Sequence, residues 1–227
     1  MSKELERVVF VPVIHTDVDS VENARSIVLK TAPDVVAVEL DRTRYQQLLN
    51  PQTDEMIPAA ATGDSIADLM NQIAGLEKSL GQMTGSMAGD EMLAAIEAGR
   101  EVNAKIALID RPIEITAQAL MQVPLSEIYK LTEMIPDAAN EVKEGGSGDL
   151  MDLLRDADNV DSLMIEFKKE FPMLSSVLID QRDYYIARAI KSILSDVEGK
   201  IVVVLGSGHI EGVTKTLRAL LENDVAS

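Results

Sequence analysis

Four short apolar runs constrain this sequence more than any other feature: VVFVPVI ahead of His15, VVAVEL at 35–40, KIALID at 105–110 and IVVVLG at 201–206. Each is rich in β-branched residues and continuously apolar, not alternating, as expected of a strand buried on both faces. Helix-period stretches separate them. In TDVDSVENARSIVLKTAP, Val21, Ala24, Ile27 and Val28 fall on one face and Pro33 ends the helix. PMLSSVLIDQRDYYIARAIKSILSD reads as one long helix with Pro172 near its start, and 210–223 as a closing helix. Strands alternating with helices predict an α/β fold with a mainly parallel central sheet flanked by helices. Pro12 cannot donate to a strand ladder, so it is expected on an edge or at the strand end.

The chain reads as a single α/β domain over 1–227, with 51–104 and 112–170 as helical insertion or cap regions. The first region is rich in Gly, Met and Ala, and Gly75, Gly81, Gly85 and Gly89 break its helical pattern. Its methionines read as core and gap-filling residues. The second is acidic and interrupted at KEGGSGD, a flexible turn. With 46% apolar residues and only 3% aromatic, the core must be built from Leu, Ile, Val, Met and Ala.

Charge and composition exclude several function classes. A net charge of −17 repels phosphate backbones, which argues against a nucleic-acid reader. The absence of cysteine removes disulfides, thiolate metal sites and cysteine nucleophiles. No apolar run is long enough for a membrane span and none has the form of a secretory signal, so a soluble, cytoplasmic chain is expected, with membrane association the alternative if the natural chain continues into a membrane-bound C-terminal part. An apolar helical insertion makes a homodimer a reasonable expectation.

In an open parallel sheet, sites form beyond the carboxyl ends of the strands. Here each run ends in polar chemistry: His15 and then Asp17; Glu39 followed by Asp41, Arg42 and Arg44; Asp110-Arg111; and Gly206-Ser207-Gly208-His209. The chain has only two histidines, and both occupy equivalent corners. Two imidazoles and a carboxylate suit a divalent ion, and neighbouring arginines suit an oxyanion or a substrate carboxylate. The same residues also serve as hydrogen-bonded structural groups in many folds, and the pattern alone leaves both readings open. Gly206, Gly208 and Gly212 approximate a dinucleotide fingerprint. Only 15 residues follow Gly212, however, too few for a further strand carrying a ribose-binding acid. The glycine turn therefore reads as a corner that presents His209.

Taken together, the motifs resemble the TraB/PrgY pheromone-shutdown family, related to the Tiki proteases and to the erythromycin-esterase-like superfamily. The resemblance rests on PVIH at 12–15; VAVELDRTRY with Glu39 and Arg44; AGDEMLAAIEAG with Glu91; DRPI at 110–113; DQRDYYIAR with Arg182 and Asp183; and GSGH from Gly206 to His209. Pro12 stands where the family has the first glycine of its Gly-x-x-His motif, and Gln181 where it often has Glu.

The resemblance implies a metal-dependent hydrolase of the TraB/Tiki type, acting on peptides. His15, Glu39 and His209 would hold a divalent ion (Mn, Co or Zn), with Glu39 alternatively the general base. Arg111 and Arg182 would position carboxylates or stabilise the oxyanion. Arg44, Glu91, Asp110 and Asp183 would support these groups or bind substrate, and Gly206 and Gly208 would shape the turn. Two alternatives stand beside it: metal-free hydrolysis of an ester or lactone, and a binding protein that captures a peptide or small molecule without turnover.

Overall fold

The computed structural model describes residues 4–15, 17–50, 66–72, 75, 86–134 and 155–225. The apolar runs form four strands: β1 (Val8–Val13), β2 (Val35–Val38), β3 (Lys105–Leu108) and β4 (Ile201–Gly206). They pair in the order β1-β4-β2-β3, and every pairing is parallel. The fold is α/β, as the strand and helix alternation predicts. All four carboxyl ends consequently face one edge of the sheet. β1 is an outer strand, which accommodates Pro12.

Both faces of the sheet are covered, which explains the unbroken apolar runs. On one face Val11, Val13, Val36, Val38, Val202 and Val204 pack against α1 (Val18–Thr31) and α3 (Asp90–Glu101). On the other, Val35, Ala37, Ile201, Val203 and Leu205 pack against α7 (Gln181–Asp196) and α8 (Ser207–Val225). Pro33 follows the left-handed C-cap residue Ala32, so α1 stops where the sequence predicts. α2 (Arg42–Leu49) starts at Asp41, whose side chain accepts from the N–H groups of Thr43 and Arg44.

The final residues of the 51–104 stretch belong to the sheet layer, because α3 buries Met92, Ala95, Ile96 and Ala98 against the strands. A third cluster forms apart from the sheet. It joins Leu69, Leu120, Val123, Ile128, Phe171, Leu174 and Val177. These come from residues 66–72, from α4 (Ile113–Leu120) and the residues after it, and from the start of the long helix. The KEGGSGD turn and most of the Gly/Met-rich segment lie outside the described residues.

α5 (Ala157–Glu170) precedes the long helix. That helix opens at Pro172 in α6 (Pro172–Ser175), widens into a π-helical segment, Ser176–Asp180, and continues as α7. At the widening, the Gln181 N–H reaches back five residues to Ser176 O. π segments commonly occur where a helix must aim side chains at a site. Arg182 and Asp183 follow directly.

Candidate functional site

The carboxyl ends of β1, β2, β3 and β4 deliver His15, Glu39, Asp110 and His209 to one edge, and α7 adds Arg182 and Asp183. Glu39 is buried just beyond β2. Its Oε1 accepts from Arg182 Nη2 at 2.5 Å and its Oε2 from the Gly206 N–H at 2.7 Å. Burial alone would raise the pKa of this carboxyl. The charges of His209, Arg182 and His15, with the Gly206 N–H, outweigh it and lower the pKa to about 2. Glu39 is therefore a fixed carboxylate.

Arg182 ties the site together. Its Nε donates to Asp110 Oδ1 at 3.0 Å and its Nη2 to Asp110 Oδ2 at 2.8 Å, a two-pronged grip, while Nη1 donates to Leu178 O at 3.3 Å. Burial opposes the charge, but Glu39 and Asp110 hold the guanidinium more firmly protonated than usual. Nη1 also lies 3.2 Å from His209 Nε2.

Each imidazole has its own carboxylate. His209 Nδ1 is 2.6 Å from Asp183 Oδ1, and the Asp183 side chain is 4% exposed. His15 Nδ1 is 2.7 Å from Glu91 Oε1, and Glu91 is fully buried. Glu91 Oε2 also accepts from the Gly89 N–H at 3.1 Å. With the Nδ1 proton turned toward the carboxylate, each ring carries its lone pair on Nε2, which in His209 faces Arg182 Nη1. The two rings differ in access. The side chain of His15 is 40% exposed and that of His209 12%.

Two glycines permit this packing. A Cβ on Gly206 would lie 3.1 Å from His15 Nε2 and 3.4 Å from Glu39 Oε2, so His15 Nε2 reaches the same corner as Glu39. A Cβ on Gly212 would lie 1.9 Å from Asp183 Oδ2. Gly208 sits in the first turn of α8 beneath Met164 of α5. β4 passes into α8 without an intervening residue, so the glycine turn works as a strand-to-helix corner.

A sequence profile of the TraB/PrgY/gumN family matches residues 2–226. The chain belongs to this family. It is 29% identical over 210 residues to the uncharacterized protein MJ1365 of Methanocaldococcus jannaschii, covering 91% of this chain and 52% of that protein. It is 25% identical over 243 residues to a TraB domain-containing protein of Bos taurus, covering 95% of this chain and 63% of the relative. The corresponding protein of Mus musculus is 24% identical over 246 residues, with coverage of 95% and 64%. The chain thus spans between about half and two thirds of the length of these relatives.

Set against the TraB resemblance, most of the expected residues meet at this edge. Arg111 comes there too, but its donors are committed to structure. Nε donates to Thr116 Oγ1 at 3.0 Å, Nη1 to Gln181 Oε1 at 2.8 Å and Nη2 to Val177 O at 2.8 Å. Burial and the neighbouring Arg182 charge lower its pKa, partly offset by Asp110. Arg111 therefore fastens the π segment to the sheet edge and is not placed to meet an oxyanion. Arg44 is exposed on the first turn of α2, where its N–H is capped by Asp41.

His15, Glu39 and His209, the three residues expected to bind a metal, come to one corner of the sheet edge, where they already have protein partners. Both Glu39 oxygens already accept hydrogen bonds, and the Arg182 guanidinium reaches both Glu39 Oε1 and His209 Nε2. These two atoms are themselves 3.4 Å apart, and the cation lies against both. Among the described residues, no three His, Asp or Glu side chains are arranged to hold an ion.

Sequence reasoning missed Arg155. Its Nη2 donates to Asp17 Oδ1 at 2.7 Å and to Asp19 Oδ2 at 2.6 Å, bracing the turn that carries His15. Nothing local could have indicated a partner 138 residues away.

Proposed function

We propose that this TraB-family chain is an acyl hydrolase whose carboxylate-held imidazoles work without a metal in the cluster. The observation that carries the reading is Arg182. Its guanidinium lies against both Glu39 Oε1 and His209 Nε2, themselves 3.4 Å apart, and supplies there the positive charge that a metal would otherwise bring.

The chemistry follows from access and proton affinity. Glu39, with its pKa lowered to about 2, is a poor general base at neutral pH. Its role is to hold Arg182. His15 is the more accessible imidazole, and buried Glu91 fixes its orientation. His15 Nε2 takes a proton from water as the water oxygen attacks the substrate carbonyl carbon. The N–H groups of the first turn of α8 stabilise the oxyanion that forms, aided by the nearby charge of Arg182, whose own N–H groups stay with Asp110, Glu39, Leu178 O and His209. When the intermediate collapses, the acyl carbon–leaving group bond breaks and the His15 imidazolium returns its proton to the leaving group. His209, held by Asp183, keeps Arg182 in place through Nε2.

One observation favours a second reading. Both rings bind a carboxylate through Nδ1, an arrangement that also orients imidazoles for metal binding. It requires His209 Nε2 to give up its contact with Arg182 Nη1.

The experiment is hydrolysis of nitrophenyl esters and dye-labelled peptides by chelator-treated protein, with calorimetric titration of Mn, Co and Zn in parallel. Turnover that survives chelation, falls by roughly 100-fold or more in His15→Ala and falls substantially in Glu91→Gln supports the proposal. Saturable one-site metal binding with chelator-sensitive turnover overturns it in favour of the second reading. No turnover on any substrate leaves ligand capture as the function.

A further inference from the structure

A groove of about 600 Å³ opens beside the cluster, with one wall on α8 and the other on α5. Ser207, Ile210, Thr214, Lys215 and Arg218 line the α8 side. Ser207, Ile210, Thr214 and Arg218 recur every three or four residues and Lys215 lies beside Thr214, so they form one stripe of the helix. The stripe begins at Ser207, next to the Gly206 N–H that binds Glu39, and ends eleven residues later at Arg218. At 1.5 Å per residue it is about 16 Å long, room for about five residues of extended chain.

The charge along the stripe is uneven. Near the cluster the lining is small or apolar, from Pro12, Ser207 and Ile210, with Val160 opposite. At the far end stand Lys215 and Arg218, neither of which forms an ion pair among the described residues. The groove also holds Glu211 and Asp161, and Arg155, on the side of Pro12 and Ser207, is bound to Asp17 and Asp19. In a chain of net charge −17, two cations without ion-pair partners at one end of an apolar groove favour an anionic ligand group.

We infer that this groove receives the C-terminal side of a short, apolar peptide substrate, with Lys215 and Arg218 binding its terminal carboxylate. The inference rests on the hydrolase reading above and adds a direction to it: cleavage falls roughly five residues from a free C-terminus. A peptide fits better than a simple acyl chain. The groove pairs apolar walls with hydroxyls at Ser207 and Thr214, which can meet backbone amides.

The test is fluorescence anisotropy with a dye-labelled apolar pentapeptide, as free acid and as C-terminal amide. It uses the His15→Ala chain, so that cleavage does not intervene. The free acid is expected to bind roughly tenfold more tightly than the amide, the scale of one charge-assisted hydrogen bond. Lys215→Glu with Arg218→Glu is expected to erase that preference; both residues are exposed, so the fold is retained. Equal affinity for acid and amide, an acid preference that survives charge reversal, or no binding of either peptide overturns the inference. Failure of the hydrolase reading looks different: acid-selective binding persists while the wild-type chain turns over neither ester nor peptide.

Discussion

Arg182 donates to Glu39 Oε1 at 2.5 Å while gripping Asp110 with two of its nitrogens, so a single guanidinium joins the ends of β2 and β3 to α7. The Glu39 side chain is 3% exposed, that of Asp110 14% and that of Arg182 21%. Two carboxylates this close and this dry depend on the cation between them.

Removing that cation is expected to cost stability. Arg182→Met leaves Glu39 and Asp110 facing each other without a counter-charge, a loss on the order of 3–5 kcal/mol. Arg182→Lys keeps the charge but loses the forked geometry, and should fall between Met and wild type. Urea unfolding midpoints give the ranking. Combining Arg182→Met with Glu39→Gln should be less damaging than the sum of the two changes, since the second removes the charge that the first stranded. Strict additivity would show that the two residues are not coupled.

The low pKa of Glu39 makes a statement about acid. Its carboxyl falls from 4.5 to about 2 on folding. A group whose pKa is lowered in the folded state contributes its stability above the unfolded pKa and loses it as pH falls toward the folded one. The contribution, on the order of 3 kcal/mol, is therefore complete above about pH 4.5 and disappears between there and about pH 2. Glu39→Gln should lack this component, so the gap between wild type and variant narrows across that window. Unfolding free energies measured at steps from pH 6 to 2.5 test it, and a constant gap would refute it.

Much of this was legible in the sequence, because continuous β-branched runs fit only strands covered on both faces. Four such runs placed His15, Glu39, Asp110 and His209 at strand ends, and a parallel sheet brings those ends to one edge. The strand order was not legible, because it depends on how α1, α3, α7 and α8 divide the two faces. The carboxylate partners were legible only in part. Glu91 lies on the buried stripe of α3 with Ala95 and Ala98, and Asp183 on that of α7 with Ile186, Ala187 and Ile190. A carboxylate on an apolar stripe needs a partner, which is a signal, but any nearby cation or imidazole would satisfy it. The commitment of Arg111 was hidden for another reason. Its acceptor Val177 O belongs to the π segment, and side-chain periodicity does not distinguish a π turn from an α turn.

Gln181 offers a gain of stability. Its Oε1 accepts from Arg111 Nη1 at 2.8 Å, and Arg111 is buried beside the like charge of Arg182. Gln181→Glu would place a carboxylate against that guanidinium and convert a neutral acceptor into a charged one. The expected effect is a gain of about 1 kcal/mol, read as a higher urea midpoint with an unchanged slope. Loss of stability would mean that Asp110, Glu39 and the new carboxylate together exceed what Arg111 and Arg182 can balance.

Gly212 tests whether the His209–Asp183 pair matters to function as well as to packing. The glycine lies in the middle of a regular helix, so its backbone does not require glycine. What requires it is space, because a Cβ there would meet Asp183 Oδ2 at 1.9 Å. In Gly212→Ala the Asp183 carboxylate must swing away or the helices must part. Crowding of this kind costs about 1–3 kcal/mol, offset in part by the better helix propensity of alanine. If Asp183 swings away, His209 loses its anchor and its Nε2 no longer steadies Arg182. Turnover per folded molecule should then fall as far as it does in Asp183→Asn, and combining the two changes should lower it no further. A Gly212→Ala protein with reduced stability but full turnover would show that the Asp183 contact holds α7 to α8 and leaves the chemistry untouched.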